Sequence, residues 1–83
     1  MALDRDQVMA KAREHLATEL DLRPEEIAEG TRLRDDLDAD SLDLYELVME
    51  LEDTYGIKVT EEEAARIETV GDAVDFVLER LPA

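Results

Sequence analysis

The residues best able to do chemistry lie in one stretch, Asp35-Asp36-Leu37-Asp38-Ala39-Asp40-Ser41-Leu42-Asp43, joined by a single histidine, His15. Three chemistries compete for them. Asp36, Asp38 and Asp40 alternate as the first ligands of a calcium-binding EF-hand loop do. That loop also needs a Gly for its sharp turn and a bidentate Glu at its end, and Ser41 and Leu47 stand at those places. So many carboxylates allow weak, unselective divalent binding, but no structural metal site is expected. A Ser-His-Asp triad needs a base within hydrogen-bond reach of Ser41. His15 belongs to a different segment, at the edge of an apolar stripe, and Ser41 has no Gly-flanked turn to present it as a nucleophile. A histidine so placed is more often a packing or surface residue than a catalyst, so no catalytic residue is assigned. The third chemistry is covalent modification. A hydroxyl at a helix start suits an attached phosphate, favoured there by unpaired N–H groups and the positive end of the dipole and opposed by the neighbouring acids. The plain role for Ser41 would be an N-cap, but Asp40 can cap in its place. Asp40-x-x-Asp43 resembles a capping box, which leaves the Ser41 hydroxyl free.

These residues must be held by helices, since little in the chain reads as strand. Val8, Ala12, Leu16 and Leu20 recur every four residues and predict a first helix from Asp4 to about Leu20, with Asp4 and Gln7 as its capping box. From Asp21 to Asp40 the periodicity fails. Pro24 can open one short turn and Gly30 prevents anything longer, so the region reads as a long loop pinned by Ile27, Leu33 and Leu37. A second helix runs from Ser41 or Leu42 to about Tyr55 and stops at Gly56. At ~100° per residue from Leu44, the residues Leu47, Val48, Leu51 and Tyr55 fall within roughly 60°, one core-facing stripe. Leu42, Tyr45 and Met49 fall at about 100–160° as a second stripe. Glu52 flanks that stripe on one side, and Glu46, Glu50 and Asp53 on the other. An apolar strip rimmed by charge is the anatomy of a protein contact; the alternative is that it packs beneath the preceding loop. Thr60-Glu61-Glu62-Glu63 caps a short helix to about Ile67. A last helix follows from Thr69-Val70-Gly71-Asp72 to the closing Pro82.

Composition sets the bounds. Eighty-three residues form a single domain, 1–83, with one modest core, and the lack of Cys removes disulfides and thiolate-held zinc. Twenty-four acids against nine Lys and Arg give a net charge of −15, the wrong sign for nucleic acid. Twelve acids lie between Asp35 and Glu63 against one base, Lys58, so the charge is concentrated around Ser41 and helix two. Basic protein partners are its natural complement. No stretch approaches the roughly 20 apolar residues of a membrane span, and residues 1–6 resemble neither a signal nor a transit peptide. A cytoplasmic monomer is expected.

The segment Asp38-Ala39-Asp40-Ser41-Leu42-Asp43-Leu44-Tyr45-Glu46-Leu47-Val48-Met49 resembles the Asp-Ser-Leu signature of acyl carrier proteins. The likeness continues through Leu51 to Ile57 and Ile67 to Val74. It implies an all-α four-helix bundle of three longer helices and one short helix, with a long loop between helices one and two. In that family a phosphopantetheinyl transferase moves 4′-phosphopantetheine from coenzyme A to the serine, here Ser41. The thiol comes with the cofactor, so no Cys is needed and the protein is a carrier, not an enzyme. The resemblance further implies docking by Asp40, Leu42, Asp43, Tyr45, Glu46, Met49 and Glu52 on basic patches of acyl-chain synthesis enzymes. It also implies an acyl pocket lined by Leu33, Leu47, Leu51, Ile67, Ala73 and Phe76, residues that an ordinary core needs equally. Two positions depart from the common pattern: Asp38 stands where Gly is frequent, and Tyr45 where a small aliphatic is. Fatty-acid synthesis is the leading pathway and a discrete polyketide carrier the second. A small acidic calcium-binding protein or adaptor is the reading from another class.

Overall fold

The computed structural model describes residues 4–81, so Pro82 lies outside the described residues. Four α-helices follow in order: α1 (Arg5–Leu20), α2 (Ser41–Tyr55), α3 (Glu61–Ala65) and α4 (Val70–Arg80), with a 3-10 turn at Pro24–Glu26 between the first two. Each α-helix begins with a reciprocal capping box: Asp4 with Gln7, Asp40 with Asp43, Thr60 with Glu63, and Thr69 with Asp72. Two orphan N–H groups are satisfied at each start, which fixes where each helix begins. Gly56, at φ +66°, ends α2 in the left-handed conformation that costs glycine nothing.

α1 packs on α4 and α2, and α3 lies against α2. Val8, Ala12 and Leu16 of α1 meet Leu44, Leu47, Val48 and Leu51 of α2 and Val70, Ala73, Val74 and Val77 of α4 in one core. No polar or charged residue is buried in it among the described residues. The short helix is tighter than expected from its sequence. It stops at Ala65 because Arg66 N–H bonds back to Glu63 O (3.1 Å) and Ile67 N–H to Ala64 O (3.1 Å), turning the chain so that Ile67 is buried.

The 21–40 loop is ordered by more than its apolar side chains. Ile27, Leu33 and Ala39 are buried and Leu37 is half-buried. An isolated antiparallel bridge joins Arg32 to Thr69: Leu33 N–H donates to Glu68 O (2.9 Å), and Val70 N–H to Thr31 O (3.1 Å). Gly71 N–H donates to Glu29 O (2.8 Å), at a place where a Cβ would stand 3.0 Å from that same oxygen. Arg5 spans this seam, pairing with both Glu29 and Asp75. The loop thus delivers the chain to Asp40 in a set position.

Candidate functional site

Ser41 is the first residue of α2 and is exposed. The helix does not need its hydroxyl. Asp40 accepts from Asp43 N–H at 2.9 Å, and Asp43 accepts from Asp40 N–H at 3.1 Å. The approach is a tight turn in which Asp36 accepts from Arg32 N–H (2.8 Å) and Ala39 N–H donates to Leu33 O (2.9 Å). Asp38 has φ +58°, the left-handed region where glycine is free of strain and Asp is better tolerated than most residues. That geometry gives a physical reason for glycine at such a position.

The competing chemistries fare differently. Asp36 is spent on the turn and Asp40 on the cap, so the alternating aspartates do not form one ligand set. Among the described residues, the carboxylates that converge are those of Glu19, Asp43 and Glu46, whose oxygens lie within 4.8 Å of one another. His15 is half-buried, and its Nε2 is buried without a hydrogen-bond partner. Among the described residues, no hydrogen bond joins this Nε2 to Ser41.

Among the described residues, Leu42, Tyr45 and Met49 are the large apolar ones left in solvent, at 62 %, 54 % and 44 % exposure. Asp43 and Glu46 rim them, and Glu46 is half-buried against α1. The Glu19 carboxyl hydrogen-bonded beside it raises the Glu46 pKa above its ordinary value, with desolvation adding to the rise and His15 opposing it. Glu52 has a second attachment, for it accepts from Val59 N–H at 2.8 Å and ties α2 to the segment before α3. Glu50 pairs with Lys11 of α1 at 3.3 Å.

Between α2 and α3 runs a groove of about 660 Å³, within the ~300–1,000 Å³ typical of small-molecule sites. Ser41 and Tyr45 border it, Leu44, Val48, Val59 and Ala64 give it an apolar wall, and Arg34, Thr60 and Glu61 add polar groups. A free hydroxyl beside an apolar groove with polar edges fits a tethered arm that carries amides and an apolar cargo. None of Leu33, Leu47, Leu51, Ile67, Ala73 and Phe76 borders this groove. The first five are buried in the core, and Phe76 is half-buried with the Arg80 guanidinium 5.9 Å from its ring centre. The walls from α3 and the loop, Arg34 included, had no periodic signal in the sequence. The one visible hint was a base immediately preceding the acidic run.

Comparison with known proteins agrees with this geometry. Residues 10–77 match the family model of the phosphopantetheine attachment site. The chain is 43 % identical over 81 residues to the acyl carrier protein of Rubrobacter xylanophilus, covering 98 % of this chain and 100 % of that protein. It is 42 % identical over 78 residues to the acyl carrier protein of Borreliella burgdorferi, covering 94 % and 98 %. The structure of the acyl carrier protein from Enterococcus faecalis aligns with a TM-score of 0.80 at 35 % identity, over 94 % of this chain and 99 % of that one.

Proposed function

Because this chain belongs to the acyl carrier proteins, the family built on a phosphopantetheine attachment site, we propose that Ser41 carries the arm and that the loaded protein shuttles acyl groups among the enzymes of fatty-acid synthesis. The observation that carries the assignment of Ser41 is its idle hydroxyl: Asp40 and Asp43 cap α2 between them, and the serine is exposed beside a groove. The arm supplies a terminal thiol on which acyl groups ride as thioesters, and the protein performs no turnover of its own.

Leu42, Tyr45 and Met49 form the apolar centre of the docking face, with Asp40, Asp43, Glu46 and Glu52 as its acidic rim. Opposite charge on a partner speeds encounter while leaving affinity modest, which suits a carrier that must leave each enzyme after one step. Leu33, Leu47, Leu51, Ile67, Ala73 and Phe76 serve the acyl chain only if the core opens, whereas the α2–α3 groove is already open to it. The protein works as a cytoplasmic monomer. Relatives that match it from end to end under the name acyl carrier protein support the carrier role.

The test is intact mass after incubation with coenzyme A and a broad-specificity phosphopantetheinyl transferase. One phosphopantetheine increment is expected, and none on Ser41→Ala. No increment under conditions that load a control carrier overturns the assignment. Mass analysis of the acyl groups carried in cells distinguishes the pathways: saturated intermediates of increasing length favour fatty-acid synthesis, and retained keto groups favour polyketide synthesis.

A further inference from the structure

Loading Ser41 adds a phosphodiester to a surface that already holds Asp38, Asp40 and Asp43. The N-terminus of α2 gives limited relief, since the Asp43 N–H is already taken by the Asp40 carboxylate. A cation nearby would offset that charge, and the groove holds one, Arg34. Of the nine Lys and Arg residues, Arg13, Arg34, Lys58 and Arg66 form no ion pair among the described residues. Only Arg34 of these shares the groove with Ser41. Its backbone is held in place, because the adjacent Leu33 is fully buried and bonds Glu68 O through its N–H and Ala39 N–H through its carbonyl. Little freedom beyond that of the side chain itself is lost when the guanidinium finds a partner. Glu52 and Glu61, the acids bordering the groove, do not pair with it; Glu52 accepts from Val59 N–H instead.

The geometry points to Arg34 as the binding residue for the phosphodiester on Ser41, with its guanidinium pairing with the phosphate oxygens and laying the root of the arm along the α2–α3 groove. The planar fork of arginine matches a phosphate in two parallel hydrogen bonds, and the charge makes each of them stronger than a neutral one. This inference rests on Ser41 being the attachment residue.

The experiment follows the arginine Nε–Hε signals of 15N-labelled protein by NMR before and after loading, with intact mass taken on the same sample. In the loaded protein the Arg34 signal is expected to shift and its exchange with water to slow severalfold, while Arg66, also exposed and unpaired, stays unchanged. About 1 M salt, where the Debye length is ~3 Å, should diminish the effect. In loaded Arg34→Gln the amides of Val59 and Ala64 should move back toward their unloaded positions, and Arg34→Lys should restore part of the shift. An unchanged Arg34 signal in a sample that mass shows to be fully loaded overturns this inference and leaves the carrier assignment standing. Absence of loading overturns both.

Discussion

Asp40 and Ser41 have separable duties at one helix start, and substitution should separate them. Ser41→Ala is expected to lose all loading yet keep its stability to within about 0.5 kcal/mol, since an exposed hydroxyl outside the cap holds nothing. Asp40→Ala should cost ~1 kcal/mol through the lost cap. Urea titrations of both variants measure this, and a large loss for Ser41→Ala would contradict the division. Glu46 gives a pH-dependent case. With its folded-state pKa raised by the Glu19 carboxyl, it contributes stability that is fully present below its ordinary value of 4.5 and is lost as pH rises through the higher folded value. At neutral pH the two carboxylates repel. Glu46→Gln should therefore melt higher than the parent at pH 7, with the difference closing toward pH 4.5, while loading should slow because the proposed docking rim has lost a charge. A melting difference independent of pH would remove the pair from the explanation. The idle state of Ser41 was legible from Asp40-x-x-Asp43 alone. Arg34 was not, because a cation beside the groove with no ion pair among the described residues comes into view only once the fold has placed it.

At the level of elements, what the sequence revealed was local: four-residue periodicity, capping boxes, and Gly56 as a stop. These depend on contacts within one turn, and the observed helices begin where the caps predict. The loop was legible only in its anchors. Its backbone bonds to Glu68 and Thr69 join segments whose registration follows from the packing of α1 against α4, which no local pattern encodes. The five-residue α3 is likewise too short to be stable alone and takes its place from Glu52, Val59 and Ile67, so the groove it forms was invisible before the fold. Phe76 lies off the Val70, Ala73, Val74 and Val77 stripe of α4 and is half-buried beside Arg80, so its place in a pocket followed from the resemblance and not from periodicity. The weight carried by the loop can be measured. Leu33→Ala should cost ~2–5 kcal/mol, as expected for a fully buried leucine. Denaturant titration checks it, and a loss under 1 kcal/mol would mean the bridge holds the loop without that side chain.

Over the whole molecule, a charge of −15 is spread across a body of 33 × 26 × 19 Å. At about 0.01 M salt the Debye length of ~30 Å spans it, and every acid repels every other; at about 0.15 M it is ~8 Å, and only neighbours interact. The melting temperature should climb over that interval while transferase encounter slows, because one field opposes folding and attracts basic partners. Parallel thermal melts and loading kinetics across the salt series measure both, and a flat melting curve would show that the acids are already compensated locally. The Arg32–Thr69 bridge has a consequence in time as well as in space. Contacts within helices close small loops and form early, whereas this bridge joins residues nearly half the chain apart and must wait for α4 to dock. The destabilisation in Leu33→Ala should then fall on the unfolding rate, with a φ-value near zero. The turn before Ser41 should therefore be finished only after α4 has docked, and if Ser41 is the attachment residue, a chain truncated before α4 is expected to load more slowly than the full protein.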